Sequence, residues 1–129
     1  MSPGVEIAVV VILLGTGLVN GLPVAGVAGA GWLRRLYGVP IADPDLLVLM
    51  RHRAALLGLL GAALVAAVFV PALRVPAMIA GLVSMLAFVG LARGAAGRKV
   101  RTTALVDVGL SGALAVALVL QLLAPSPLG

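Results

Sequence analysis

Cysteine is absent, and aromatic residues are nearly so: two phenylalanines, one tryptophan and one tyrosine in 129 residues. Without cysteine there is no disulfide, no thiol redox couple, no cysteine-based zinc site and no thiol nucleophile. Four acids (Glu6, Asp43, Asp45, Asp107) and one histidine, His52, are too few for a protein-only metal site, so no metal is expected. Gly26, Gly29 and Gly31 follow no strand and lack the spacing of a dinucleotide fingerprint, and no cofactor is expected either. Charged residues make up 10% of the chain and hydrophobic residues 63%. A soluble domain has roughly 25% and 45–50%. That balance excludes an ordinary soluble enzyme and a disordered chain. The net charge of +5 is not a nucleic-acid signature, because aromatics are scarce and the basic residues sit beside hydrophobic runs.

What remains is membrane sequence, with a mean hydropathy of +1.27. At about 20 residues per span, the length suits four helices with short loops and no further domain. The spacing predicts spans at about 5–22, 46–70, 75–92 and 102–124. The apolar start is read as a membrane helix rather than a secretory signal, because Glu6 precedes it and no Lys or Arg does. Asn20-Gly21-Leu22-Pro23 should break or kink span one, since proline lacks the donor N–H. Trp32 to Tyr37 mixes aromatic, apolar and basic residues, which suits a short interfacial helix. Asp43-Pro44-Asp45 is a helix start: a cap, a proline for the first turn, and an acid for the positive helix end. Pro71 to Pro76 should turn tightly, and Pro-Ser-Pro should end span four. The expected fold is all-α, a four-transmembrane-helix bundle with a short interfacial helix between spans one and two.

Positive charge gives the orientation. The first and third loops, with the adjoining helix starts, hold Arg34, Arg35, Arg51, Arg53, Arg93, Arg98, Lys99 and Arg101; the opposite side holds Arg74. Both loops should therefore be cytoplasmic and both termini outside, in the cytoplasmic membrane. Arg34, Arg35, Arg53, Arg98, Lys99 and Arg101 are placed to meet anionic lipid head groups.

Polar residues inside the spans mark the candidate site. Span two carries small residues, among them Gly58 and Ala62 at the spacing that lets backbones approach in lipid. Arg51 shares that face and is expected to point into the bundle; Arg53 shares a face with Leu57, Leu60 and Leu64 and is expected to snorkel to a phosphate. Span four carries Thr103, Asp107 and Ser111 in one stripe, span one carries Thr16 and Asn20, and span three carries Ser84. Arg51 and Asp107 each lie about 9 Å inside their helix starts at ~1.5 Å per residue. A lone charge near the centre of a span costs roughly 2.5–3.5 kcal/mol. An Arg51–Asp107 contact with Asn20 or His52 nearby is therefore expected, either as a packing pair or as the polar end of an apolar pocket.

Leu36-Tyr37-Gly38, Asp43-Pro44-Asp45-Leu46-Leu47 and Leu49-Met50-Arg51-His52-Arg53-Ala54 carry a resemblance that spans most of the chain. Gly58-Leu59-Leu60-Gly61, Ala80 to Met85 and the Asp107 segment extend it. The chain resembles a group of small bacterial four-helix integral membrane proteins, DoxX-like in layout and often labelled phosphopantetheine adenylyltransferase. The resemblance implies the four-helix layout. The chain has no nucleotide-binding αβ domain and no His-x-Gly-His motif. It is more loosely similar to membrane-associated glutathione-metabolising proteins, whose arginines Arg51 and Arg53 would match. Leu56 to Leu59 stand where the accompanying Asn and Glu would be.

The residues support three functions. The first is binding a hydrophobic small molecule, with Asn20, Tyr37, Ser84 and Ser111 as ligand contacts. Isomerisation, cyclisation or epoxide opening would then use Asp107 as acid or base, tuned by Arg51 and assisted by His52. The second is proton-coupled transport through Glu6 or Asp107. The third is a scaffold or homo-oligomer joined through the small-residue face at Gly58.

Overall fold

The computed structural model describes residues 1–94 and 97–124. Five α-helices account for most of them: α1 Pro3–Gly21, α2 Ala30–Tyr37, α3 Pro44–Phe69, α4 Arg74–Leu91 and α5 Arg98–Leu123. No strand occurs among the described residues. Four helical stretches are long and apolar enough to cross a bilayer: Pro3–Ala28, Pro44–Phe69, Pro71–Gly94 and Arg98–Leu123. The four-helix, all-α expectation is met.

The boundaries differ from expectation in informative ways. Span one changes helix type over residues 20–23, and the helical stretch itself continues to Ala28. The α-helix ends at Gly21 and passes directly into a tighter 3₁₀ helix over Leu22–Ala28, because proline sits in the first turn of the new element, where no N–H is needed. Gly29, at φ 135°, then makes the turn into α2. Arg98, Lys99 and Arg101, expected in a loop, form the first turn of α5. The Asp43 cap is as expected, its carboxylate accepting from the backbone N–H of Asp45 (2.8 Å) and Leu46 (3.2 Å). The Pro-Ser-Pro tail lies outside the described residues.

The spanning helices form a ring in the order α1, α3, α4, α5, with α5 returning to α1. One core joins all four, through Val9 and Leu13, Leu64 and Ala67, Met78 and Met85, and Leu114 and Ala117. Large apolar side chains also cover the outside; Leu91 and Phe69 are 87% and 78% exposed. Such a surface suits hydrocarbon rather than water.

Glycine sets the α1–α3 distance. A Cβ on Gly61 would stand 2.6 Å from the Gly17 carbonyl oxygen and 2.8 Å from the Gly21 backbone. Gly58, the position marked by the sequence pattern, faces Val24 of the same chain. Elsewhere glycine is not required. A Cβ at Gly112 meets no atom within 4 Å, so Gly112→Ala should stabilise the protein by about 0.5–1 kcal/mol through helix propensity. Thermal unfolding in detergent checks this.

The end of the bundle that holds the start of α1 and the α3–α4 turn is tied by one side chain. Arg74 is 4% exposed. Its guanidinium donates to both carboxylate oxygens of Glu6 (2.6 and 3.0 Å), to Gln121 Oε1 (3.3 Å), and to the carbonyls of Ala67 (3.1 Å) and Val68 (3.3 Å). The two carbonyls belong to the last turn of α3, which has no helical partners left to offer them. Arg74 therefore links all four spanning helices. Bidentate pairing with carboxylate is what its planar fork does best.

Candidate functional site

The opposite end of the bundle is hollow. A cavity of ≈ 510 Å³ lies among the end of α1, α2, the first half of α3, the end of α4 and the start of α5. Its walls are apolar: Val19, Leu22, Leu56, Leu57, Leu60, Ala87, Leu91 and Val106, among others. Its polar groups are few: Asn20, Tyr37, Arg53, Ser84, Thr102, Thr103 and Asp107.

Local structure explains each placement. Helix α2 is amphipathic. Leu33 and Tyr37, one turn apart, are buried, while Trp32, Arg34 and Arg35 are exposed. Gly38, at φ 70°, ends the helix by donating to the Arg34 carbonyl at 2.7 Å, the left-handed closure that glycine permits. Lys99 of α5 donates to the Arg35 carbonyl (2.6 Å) and pins α2 across the cavity end. Tyr37 is thereby presented to α3.

Arg53 meets it there. Its Nη1 donates to the Tyr37 hydroxyl. The guanidinium carbon lies 5.1 Å from the Tyr37 ring centre and 5.2 Å from that of Phe88. Two aromatic faces thus hold one cation, a favourable arrangement where water is scarce. Asn20 is buried and donates to the Thr16 carbonyl (2.9 Å) and toward the Met85 sulfur (3.5 Å). Thr103 donates to the Lys99 carbonyl (2.9 Å). Asp107 is half-buried. Among the described residues it accepts no hydrogen bond and forms no ion pair with Arg53.

No family model, curated protein or solved structure matches the chain. Function therefore rests on this cavity.

Of the residues singled out in the sequence, the structure brings Asn20, Tyr37, Ser84 and Asp107 to one cavity. Three others fall elsewhere. Arg51 does not reach Asp107. It is exposed, and its Nε donates to the Val27 carbonyl at 2.8 Å, at the end of the 3₁₀ segment. His52 is exposed and off the cavity wall. Ser111 is buried and off the wall too, one turn beyond Asp107 and beside buried Leu114 in α5.

The exchange of Arg51 and Arg53 has a simple cause. The glycine face of α3 lies against α1, where backbones touch and a long side chain has no room. The leucine face, Leu57 and Leu60 leading to fully buried Leu64, turns inward to fill the ring. Arg53 rides that inward face, so it is not free to snorkel to a head group. Phe88 escaped notice as a site residue. The available signal was the row Ser84–Phe88 on α4, a polar and an aromatic residue one turn apart.

Two buried hydroxyls, Thr16 Oγ1 and Ser111 Oγ, have no hydrogen-bond partner among the described residues. Leaving a buried hydroxyl unpaired costs about 1–3 kcal/mol. Ser111→Ala should therefore leave stability unchanged or raise it by up to about 1 kcal/mol, and leave any bound molecule in place. Unfolding in detergent and native mass spectrometry read the two effects.

Proposed function

We propose that this protein is an integral membrane protein that binds a hydrophobic small molecule within the bilayer, apolar body among the leucines and polar end beside Arg53 and Asp107. The observation that carries this reading is a hollow at one end of the bundle whose apolar walls carry a few polar groups, Arg53 and Asp107 among them; a shallower groove between α1 and α3, lined by Gly17, Gly21, Gly61 and Ala62, has no charged group. Its volume falls within the roughly 300–1,000 Å³ of pockets for drug-sized molecules, and its make-up is theirs: mostly apolar, with a few oriented polar groups.

Two further observations favour binding over the alternatives. Glu6, the acid a proton-coupled transporter would use near the start of α1, is engaged by Arg74. Gly58, which a scaffold would offer to a partner, packs against Val24 of the same chain.

The basic loops are assigned to the cytoplasm by the excess of Lys and Arg around them. The cavity then opens near the cytoplasmic leaflet, and α2 lies at head-group level. Arg34, Arg35, Arg98, Lys99 and Arg101, all exposed, contact anionic lipid there.

Leu57→Trp tests the reading by filling the cavity. Native mass spectrometry of protein extracted in mild detergent should show a discrete bound small molecule in the wild type. The variant should lose at least about 90% of it, a factor of ten in affinity or more. Retention of the same molecule by a folded Leu57→Trp protein places binding elsewhere.

A further inference from the structure

The cavity holds two opposite charges that, among the described residues, form no direct ion pair. Arg53 and Asp107 stand on α3 and α5, which are not neighbours in the ring. Among the described residues the ion pair present is Glu6–Arg74, at the far end. Arg53 spends one N–H on the Tyr37 hydroxyl and keeps the rest of its fork without a protein acceptor. Asp107 has acceptor oxygens and, among the described residues, no donor. The Asn20 side-chain oxygen likewise accepts no hydrogen bond, its amide nitrogen being the atom engaged.

A ligand must satisfy both kinds of group at once. Ionised carboxylate only accepts and guanidinium only donates. A head group with acceptors alone, such as a carboxylate or phosphate, suits Arg53 and is repelled by Asp107. An ammonium suits Asp107 and is repelled by Arg53. In a site poor in water either mismatch is costly, because leaving a desolvated charge unpaired outweighs what its partner gains. We infer that the cavity selects an amphiphile of no net charge, whose head places a hydrogen-bond acceptor toward Arg53 beside a donor toward Asp107, as an ester or ketone next to a hydroxyl does. This specificity rests on the binding reading above and adds the head-group chemistry to it.

The access route fits the same class. Leu56 on α3 and Leu91 on α4 line the cavity and are also 51% and 87% exposed. They form an apolar rim through which a chain enters from the bilayer without its head crossing water.

Three probes with one and the same saturated chain separate the possibilities: glycerol monolaurate, laurate and dodecylammonium. Binding to protein in zwitterionic lipid nanodiscs is measured for wild type, Asp107→Asn, Arg53→Gln and Arg53→Lys. In the wild type the glycerol ester should bind at least about tenfold more tightly than either ion. Asp107→Asn should raise laurate affinity at least about tenfold, and Arg53→Gln should do so for dodecylammonium. Arg53→Lys keeps the charge and should leave the wild-type order intact, which separates charge from folding damage. Laurate as the tightest wild-type ligand, or an order unmoved by either charge-removing variant, overturns the head-group assignment while leaving the cavity as a binding site. Failure of all three probes to bind any protein overturns the binding reading itself.

Discussion

Replacing Arg74 by methionine should lower the free energy of unfolding by about 3 kcal/mol, the scale of leaving several acceptors without the one buried donor group that served them all. The loss has two sources. The carbonyls of Ala67 and Val68 lose their donors at the end of α3, and Glu6 and Gln121 lose their common partner. Glu6→Gln is the informative comparison. The Glu6 side chain is 42% exposed while that of Arg74 is 5% exposed, so water attenuates the charge–charge part. Glutamine still accepts one hydrogen bond from the guanidinium. Its cost should be about 1 kcal/mol. Equal losses in the two variants would mean that ion pairing, not capping of α3, is the larger contribution. Reversible unfolding in mixed micelles measures both.

Gly61→Val should be at least as damaging, at about 3 kcal/mol or more, the upper range for overpacking a site that cannot yield. The obstructing atoms are backbone: the Gly17 oxygen at 2.6 Å and Gly21 Cα and N at 2.8 Å from the new Cβ. No rotamer relieves that contact, so α1 must move off α3. Gly58→Ala provides the contrast. Its Cβ would meet the Val24 side chain at 2.5 Å, and Val24 is 47% exposed and free to turn away. That change should cost about 1 kcal/mol. Displacing α1 also carries Val19 and Asn20 off the cavity wall. Gly61→Val should therefore lose its bound molecule along with its stability, and Gly58→Ala should keep it.

The bundle was legible in the sequence because hydrocarbon imposes length and composition together: four apolar runs with charges at their ends leave little else to build. The capped start of α3 was legible for a similar reason, since Asp43-Pro44-Asp45 states cap, first turn and dipole complement within three residues. The site was half legible. Asn20, Ser84 and Asp107 stood out as polar residues inside spans, and a ring of helices gathers such residues inward. What failed was the assignment of faces on α3. Small residues and leucines are both apolar, and hydropathy does not say which face meets a neighbour and which fills the centre. The Gly17–Gly21–Gly61 contact decides that, and it is a property of two helices rather than of one. Arg74 was misjudged for a related reason. Counted along the chain it is one more charge near a helix end; its five hydrogen bonds go to three other helices.

The Arg74 cluster also bears on how charge is divided between the two ends of the bundle. Nine basic side chains are present, and eight belong to the α2-side end. The ninth is folded against a carboxylate and carries no free charge to the surface. In the folded bundle the Arg74 end therefore meets its surroundings as a neutralised pair, whereas Arg34, Arg35, Arg93, Arg98, Lys99 and Arg101 are exposed at the other. The contact that holds four helices together also leaves the two ends unlike in charge.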